Sequence, residues 1–172
     1  PYTVDDEPGP LSRYAESKLL GEQLVREANP RHFVVRLSWV FGAANVNFVN
    51  KVLEWSENRR VVKVVDDQIS RPAYSVDLAP IVLDMLATGA WGLYHLANTG
   101  ICSRFEWARH IVACAGRDVE IEPAKTADFN VAAERPVYSA MDLSATIGLL
   151  GREPPDWRDA TSRFLEEIGA RK

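Results

Sequence analysis

Residues 12–37, SRYAESKLLGEQLVREANPRHFVVRL, decide the fold. Apolar and charged residues mix at helical spacing from Arg13 to Ala28, which predicts an amphipathic helix with Ser12 as its N-cap. Asn29-Pro30 ends that helix, because proline cannot continue it. The apolar run from His32 to Leu37 then predicts a buried strand. A helix that leads directly into a buried strand is the repeating unit of an α/β fold.

The rest of the chain repeats this alternation. Strands are predicted at Val61 to Val65 and Gly92 to Ala97, and helices at Phe48 to Glu57, Val76 to Leu86, Ser103 to about Cys114, Asp142 to Leu150 and Asp156 to Ile168. Strands and helices that alternate at this spacing indicate a largely parallel sheet. Ligands in such sheets bind beyond the carboxyl ends of the strands, so we expect the site in the loops 38–47, 66–74 and 98–103.

Composition excludes several classes of function. The 172 residues carry 24 acidic and 20 basic side chains, a net charge of −4 that gives no general attraction to nucleic acid. No apolar run approaches the ~20 residues of a membrane-spanning helix, so no membrane association is expected. Cys102 and Cys114 are predicted to stay unpaired, and with no basic, apolar leader this favours a cytoplasmic protein.

Tyr14 and Lys18 form the first candidate for chemistry. Their i, i+4 spacing places a phenol and an ammonium group on one helix face. The ammonium group stabilises a phenolate, which lets the tyrosine donate a proton to a carbonyl oxygen while hydride arrives at the carbon. The alternative is a helical tyrosine that only packs.

Six motifs, in order along the chain, indicate its protein family more specifically than the Tyr-Lys pair alone. They are Pro10 to Glu22, Arg36 to Gly42, Asn47 to Val49, Val65 to Gln68 with Arg71-Pro72, Gly92 to Asn98, and Arg135 to Ser139 with Asp142. With these motifs the chain resembles the dTDP-4-dehydrorhamnose reductase family of extended short-chain dehydrogenase/reductases, from Pro1 to the helix around Trp157. The resemblance implies the C-terminal part of a Rossmann-like NAD(P)-binding fold with a smaller α/β substrate-binding domain. It also implies reduction of the C4 keto group of a dTDP-sugar.

The resemblance assigns roles to individual residues. It implies that Tyr14 is the catalytic proton donor and that Lys18 assists it and holds the nicotinamide ribose, with Ser38 passing near the nicotinamide. Among the substrate contacts it implies, Trp39 lines the sugar pocket and Asn47 lies near the substrate.

Arg71 is a candidate for the nucleotide diphosphate, because a guanidinium can grip phosphate oxygens in pairs. Packing for Trp39, helix capping for Asn47 and an ordinary surface position for Arg71 are the respective alternatives. Arg135 belongs to a family motif that either touches ligand or holds its loop. No metal site is predicted, because the three histidines share no metal-binding spacing.

The glycine-rich turn that binds a dinucleotide does not occur in these 172 residues. We therefore expect residues 1–45 to be the last elements of the dinucleotide-binding domain, including the Tyr-Lys helix. Residues 46–172 are expected to be mainly the substrate-binding part, interleaved with returning Rossmann elements. The chain should be a truncated, inactive portion whose NADPH or NADH is bound mainly by a missing N-terminal part. The Tyr14 helix and the following strand should then expose apolar surface.

Other interpretations stay open. One is a non-catalytic regulatory homologue that resembles the regulatory subunit of methionine adenosyltransferase. Another is a reductase or epimerase of a different nucleotide sugar, because similar sites serve different substrates. The sequence also leaves open the choice between NADH and NADPH and the oligomeric state, for which a homodimer is one candidate.

Overall fold

The computed structural model describes residues 1–44, 46–130 and 133–171. Its helices are α1 (Arg13–Ala28), α2 (Phe48–Asn58), α3 (Ser75–Thr88), α4 (Arg104–Cys114), α5 (Ser144–Leu150) and α6 (Trp157–Glu167). Its strands are β1 (Phe33–Arg36), β2 (Val40–Phe41), β3 (Val61–Val65), β4 (Ile69–Ser70), β5 (Ala73–Tyr74), β6 (Gly92–His95), β7 (Cys102–Ser103) and β8 (Glu120–Ala124). Within these ranges, none of the helices has the length and apolar character needed to cross a membrane.

The predicted helices are found, because local signals define their ends. The Ser12 hydroxyl accepts a hydrogen bond from the Ala15 amide and begins α1, and Ser103 forms a reciprocal capping box with Glu106 at the start of α4. Gly89 ends α3 in the left-handed conformation, at φ 65°. The observed helix boundaries therefore lie close to the predicted ones wherever a capping residue is present.

The strands pair differently from the expected single sheet. Over the described ranges they form four two-stranded sheets. Three of these are parallel, namely β1 with β6, β2 with β5 and β3 with β8, and β4 with β7 is antiparallel. Four of the strands are only two residues long, too short to build a wide hydrogen-bonded ladder.

Two clusters of buried side chains join the helices to the two-stranded sheets. The first, which we call the aromatic core, centres on Phe41, Tyr74, Trp107 and Phe164 and joins α2, α4 and α6 to β3. The second lies around Met85 and Leu96 and joins α3 to β6. The aromatic core includes Phe41, Tyr74 and Cys102, each of which belongs to one of the three loops expected to hold a ligand.

The helix α1 lies outside both cores. None of its residues is buried, and the side chains of Leu20 and Leu24 are 55% and 54% exposed. The neighbouring β1 is half-buried along its length rather than buried as predicted. The expected apolar surface on this helix and on the strand that follows it is thus present.

Candidate active site

Tyr14 and Lys18 lie on the exposed side of α1. The Tyr14 side chain is 73% exposed, and the Lys18 ammonium nitrogen lies 6.0 Å from the centre of its ring. Over the described ranges, Lys18 forms no ion pair with a carboxylate, and neither side chain is hydrogen-bonded to Ser38, Trp39, Asn47 or Arg71. The ammonium group therefore lies near the phenol ring, and both groups are accessible to a ligand.

Arg71 connects the three loops that are predicted to hold a ligand, 38–47, 66–74 and 98–103. Its Nε donates to the carbonyl of Met141 at 2.8 Å, and its Nη1 donates to the carbonyl of Gly100 at 3.1 Å. The carbonyl of Arg71 itself accepts a hydrogen bond from the Ser38 hydroxyl at 2.7 Å. Burial lowers the pKa of the Arg71 guanidinium, although nearby acidic groups oppose the shift. Much of its donor capacity therefore fixes the loops, and its predicted role toward phosphate stays a prediction.

Trp39 occupies an unusual backbone conformation next to this junction. It has a φ of 43°, in the left-handed region that favours glycine. Its ring stacks on Trp107 of the aromatic core, with ring centres 5.8 Å apart and planes inclined by 3°. The surrounding structure holds a large side chain in a costly conformation, which is typical of positions where the orientation of that side chain matters. Packing is therefore one role of Trp39, and contact with the sugar stays a prediction.

Asn47 caps α2. Its side-chain oxygen accepts from the amides of Val49 and Asn50 at 3.0 and 3.4 Å, and its Nδ2 donates to the carbonyl of Gly42 at 2.9 Å. The capping alternative is thus confirmed. A contact with substrate stays a prediction for this residue, because the cap already uses both ends of its amide.

A groove of about 250 Å³ opens beside Trp39. Its walls come from the start of α2, the end of β3, the start of α4 and the segment after β8. The residues that line it are Phe48, Val65, Gln68, Arg104, Thr126, Phe129 and Arg135. The guanidinium carbon of Arg104 lies 3.8 Å from the centre of the Trp39 ring, so a residue that lines the groove also contacts the predicted sugar-contacting residue.

One wall of the groove is held by Asp67. The amide of Thr126 donates to its carboxylate at 2.9 Å, and the Thr126 hydroxyl does so at 2.7 Å. Desolvation raises the pKa of Asp67, but these hydrogen bonds outweigh it and bring the pKa below its ordinary value. The carboxylate is therefore charged at neutral pH and serves to position Thr126, whose hydroxyl also accepts from Gln68 at 3.0 Å.

Arg104 and the aromatic walls of the groove were not predicted from the sequence. Arg104 directly follows the loop 98–103 that was expected to hold a ligand. No local signal distinguishes it there from a surface arginine, since its neighbours in space, Trp39 and Phe48, lie in a distant part of the chain. Over the described ranges, no group of three or more His, Cys, Asp or Glu side chains is arranged to hold a metal ion.

Comparison with known proteins gives a single, consistent family. The family model of the RmlD substrate binding domain matches residues 1–170. A spore coat polysaccharide biosynthesis protein, SpsK of Bacillus subtilis, is 36% identical over 167 residues, which cover 97% of this chain and 58% of SpsK.

Solved structures agree with this family. The dTDP-4-dehydrorhamnose reductase of Clostridium acetobutylicum is 32% identical with a TM-score of 0.93, covering 98% of this chain and 60% of that one. The Bacillus anthracis enzyme, solved in complex with NADP, is 36% identical with a TM-score of 0.90, covering 96% and 59%. The chain thus spans 58 to 60% of the length of these three proteins. The resemblance and the α/β fold class predicted from the sequence are confirmed.

Proposed function

Because the chain belongs to the RmlD substrate binding domain family, we propose that it carries the proton donor and the sugar-nucleotide site of an NAD(P)H-dependent reductase. The reaction is reduction of the C4 keto group of dTDP-4-dehydro-L-rhamnose to give dTDP-L-rhamnose. The observation that carries the proposal is the exposed Tyr14-Lys18 pair on α1. It supplies an acid for the carbonyl oxygen within a chain whose solved relatives are named as reductases of this substrate.

Tyr14 acts as the general acid in this proposal. A nicotinamide cofactor, when bound, supplies the hydride that reduces the C4 carbon. The Tyr14 hydroxyl donates its proton to the C4 oxygen, so that the ketone gains one hydride and one proton and becomes a secondary alcohol. Lys18 stabilises the phenolate that Tyr14 leaves behind. Proton donation of this kind contributes roughly 10²- to 10⁴-fold to a rate.

The residues present fit a nicotinamide ribose on this face of α1. The Lys18 ammonium group has three donors, and over the described ranges no carboxylate is paired with it. Tyr14 is likewise open to solvent. We assign both side chains to the ribose and the Ser38 loop to the neighbourhood of the nicotinamide, with the rest of the cofactor held by a glycine-rich turn outside these 172 residues. In this proposal the part of the protein that carries the glycine-rich turn determines the choice between NADPH and NADH.

The substrate is placed in the groove beside Trp39. In this proposal the Trp39 ring forms one side of the sugar pocket, because an aromatic ring offers a large apolar surface. We assign Asn47 and Arg71, in the loops 38–47 and 66–74, to further contacts with the substrate. Both are held by hydrogen bonds to backbone carbonyls, so they keep the loops in place around the ligand as well as contacting it.

The test is a spectrophotometric assay of NADPH and NADH oxidation with dTDP-4-dehydro-L-rhamnose, on the full gene product and on the 172-residue chain alone. We expect turnover by the full gene product and none by the isolated chain. A 4-keto sugar on a uridine diphosphate serves as the comparison substrate. Faster reduction of the uridine compound would assign the site to another nucleotide sugar, and absence of turnover with either would contradict the reductase proposal.

A further inference from the structure

A chain of side-chain hydrogen bonds, which we call the Asp67 relay, runs along one wall of the groove. The Thr126 hydroxyl oxygen lies 2.7 Å from a carboxylate oxygen of Asp67, and Nε2 of Gln68 lies 3.0 Å from the same hydroxyl oxygen. Thr126 and Gln68 line the groove, and Asp67 is linked to it through them.

The charge on Asp67 sets the direction of the relay. Although desolvation raises the pKa of Asp67, the hydrogen bonds from Thr126 hold that pKa below its ordinary value, so the carboxylate is ionised at neutral pH and can only accept. Two oxygens 2.7 Å apart share a proton, and here the proton comes from the Thr126 hydroxyl. The hydroxyl has one proton, so its oxygen can only accept from Gln68.

The amide of Gln68 is oriented as a consequence. Its NH₂ group has to face Thr126, because its carbonyl oxygen Oε1 would meet the hydroxyl oxygen there as a second acceptor. The two ends of an amide have nearly the same shape, so packing alone does not choose between them. The backbone amide of Thr126 also donates to Asp67, at 2.9 Å, and holds this residue against the carboxylate.

The rest of Gln68 is fixed by its backbone. Its main-chain carbonyl accepts from the Arg104 amide at 3.1 Å, and the next residue, Ile69, pairs with Ser103 in the β4–β7 sheet. Within the part of the chain that the structure describes, the bond to Thr126 is the one hydrogen bond that the Gln68 side chain makes. Oε1 is thus an acceptor of fixed orientation that has not been given a donor.

We propose that Asp67 is a positioning residue that acts through Thr126 to turn the Gln68 carbonyl oxygen toward the ligand, and that Gln68 selects a ligand with a hydrogen-bond donor at that point. The identity of the ligand as a thymidine diphosphate sugar rests on the proposed function. Its donors are the hydroxyl groups of its two sugar rings and the N–H group of thymine. A ligand with an acceptor at that point would leave two acceptors facing each other, which is unfavourable.

The test is a double-mutant cycle of Asp67→Asn and Gln68→Met in the full gene product. An asparagine can donate to the Thr126 oxygen, which frees the hydroxyl proton for Gln68 and lets the amide reverse. Isothermal titration with dTDP-L-rhamnose should then show roughly 3- to 10-fold weaker binding for Asp67→Asn, as for loss of one neutral hydrogen bond.

The Gln68→Met background distinguishes orientation of the amide from support of the groove wall. Methionine keeps the length of the side chain without its amide, so Asp67→Asn should change the affinity by less than about 2-fold in this background. A residue that only supported the wall would weaken binding equally in both backgrounds.

Substitutions at Thr126 and Asp66 provide the controls. Thr126→Val removes the hydroxyl and keeps the amide that donates to Asp67, so it should weaken binding as Asp67→Asn does, whereas Thr126→Ser should bind as the unmodified protein does. Asp66→Asn is the matched control, because Asp66 holds the same segment by an ion pair with Lys125 outside the relay. Its affinity should stay within about 2-fold. If Asp67→Asn does not fold, Thr126→Val takes its place in the cycle.

Titration with dTDP locates the donor on the ligand. A coupled loss with both dTDP and dTDP-L-rhamnose supports a donor on the thymidine part, and a coupled loss with dTDP-L-rhamnose alone supports a donor on the rhamnose ring.

Four results overturn the inference. They are unchanged affinity in both Asp67→Asn and Thr126→Val, equal losses in the two backgrounds, a loss in Asp66→Asn as large as that in Asp67→Asn, and failure of the unmodified protein to bind either compound. The reductase proposal fails separately. Turnover of the 4-keto sugar with any of the first three results contradicts the relay alone, and a coupled cycle without turnover contradicts the reductase proposal alone.

Discussion

Arg36 on β1 grips Glu22 on α1 with two donors. Its Nε lies 2.9 Å from one carboxylate oxygen and its Nη2 lies 2.7 Å from the other. The two side chains are only 22% and 18% exposed, which makes them the best-shielded ion pair that α1 forms over the described ranges. Because α1 buries none of its residues, this ion pair does much to set the position of Tyr14 and Lys18.

Replacement of Glu22 by Gln should therefore destabilise the chain. We expect the free energy of unfolding to fall by about 1–2 kcal/mol, because the half-buried guanidinium of Arg36 loses a paired, charge-assisted partner. Urea unfolding followed by circular dichroism measures the change. Glu16→Gln is the control: it breaks an exposed pair with Arg13, for which a loss of at most ~0.5 kcal/mol is expected. Equal effects of the two substitutions would show that the Arg36 pair does not anchor the helix.

His95 should make the fold sensitive to acid. Burial lowers the pKa of this histidine, and the charge of Arg36 lowers it further. A folded-state pKa below the ordinary value of 6.5 favours the neutral ring, so its contribution to stability is complete above pH 6.5 and is lost as the pH falls below that value. His110 has a shift of the same sign.

The measurement is the free energy of unfolding between pH 7.5 and pH 5, at about half-unit steps, where one such group changes it by at most ~1.4 kcal/mol per pH unit. His95→Leu should flatten the decline. A decline that is identical in His95→Leu and the unmodified chain would assign the acid sensitivity to other groups.

The backbone at Trp39 should prefer glycine to alanine. Both substitutions remove the stack on Trp107, but glycine adopts a φ of 43° without the steric cost that a Cβ atom imposes. Trp39→Gly should therefore be more stable than Trp39→Ala by about 1 kcal/mol, the reverse of the usual order of these residues. Thermal unfolding of the two variants measures the difference, and a more stable alanine variant would show that the conformation relaxes.

Local signals and long-range packing account for different parts of this structure. Caps at Ser12 and Ser103 and the stop at Gly89 are read within a few residues, so the helices were predictable. The pairing of Phe33 in β1 with Gly92 in β6 joins residues far apart in sequence, and no local pattern specifies it.

The candidate site likewise has one part that local sequence determines and another that long-range packing determines. The Tyr14-Lys18 pair is set by one helix turn and could be recognised from spacing. The hydrogen bonds of Arg71 depend on Met141 and Gly100, and the position of Arg104 depends on Trp39, so neither could be predicted before the chain is folded.

The central claim is that Tyr14 donates the proton, and the turnover of Tyr14→Phe tests it most directly. The measurement is kcat for NADPH-dependent reduction of dTDP-4-dehydro-L-rhamnose by the full gene product, together with the Kd for dTDP. We expect kcat to fall by roughly 10²- to 10⁴-fold with Kd unchanged. Tyr94→Phe, which removes a hydroxyl that donates to the Ala90 carbonyl, should keep its activity. Unchanged kcat in Tyr14→Phe would contradict the account.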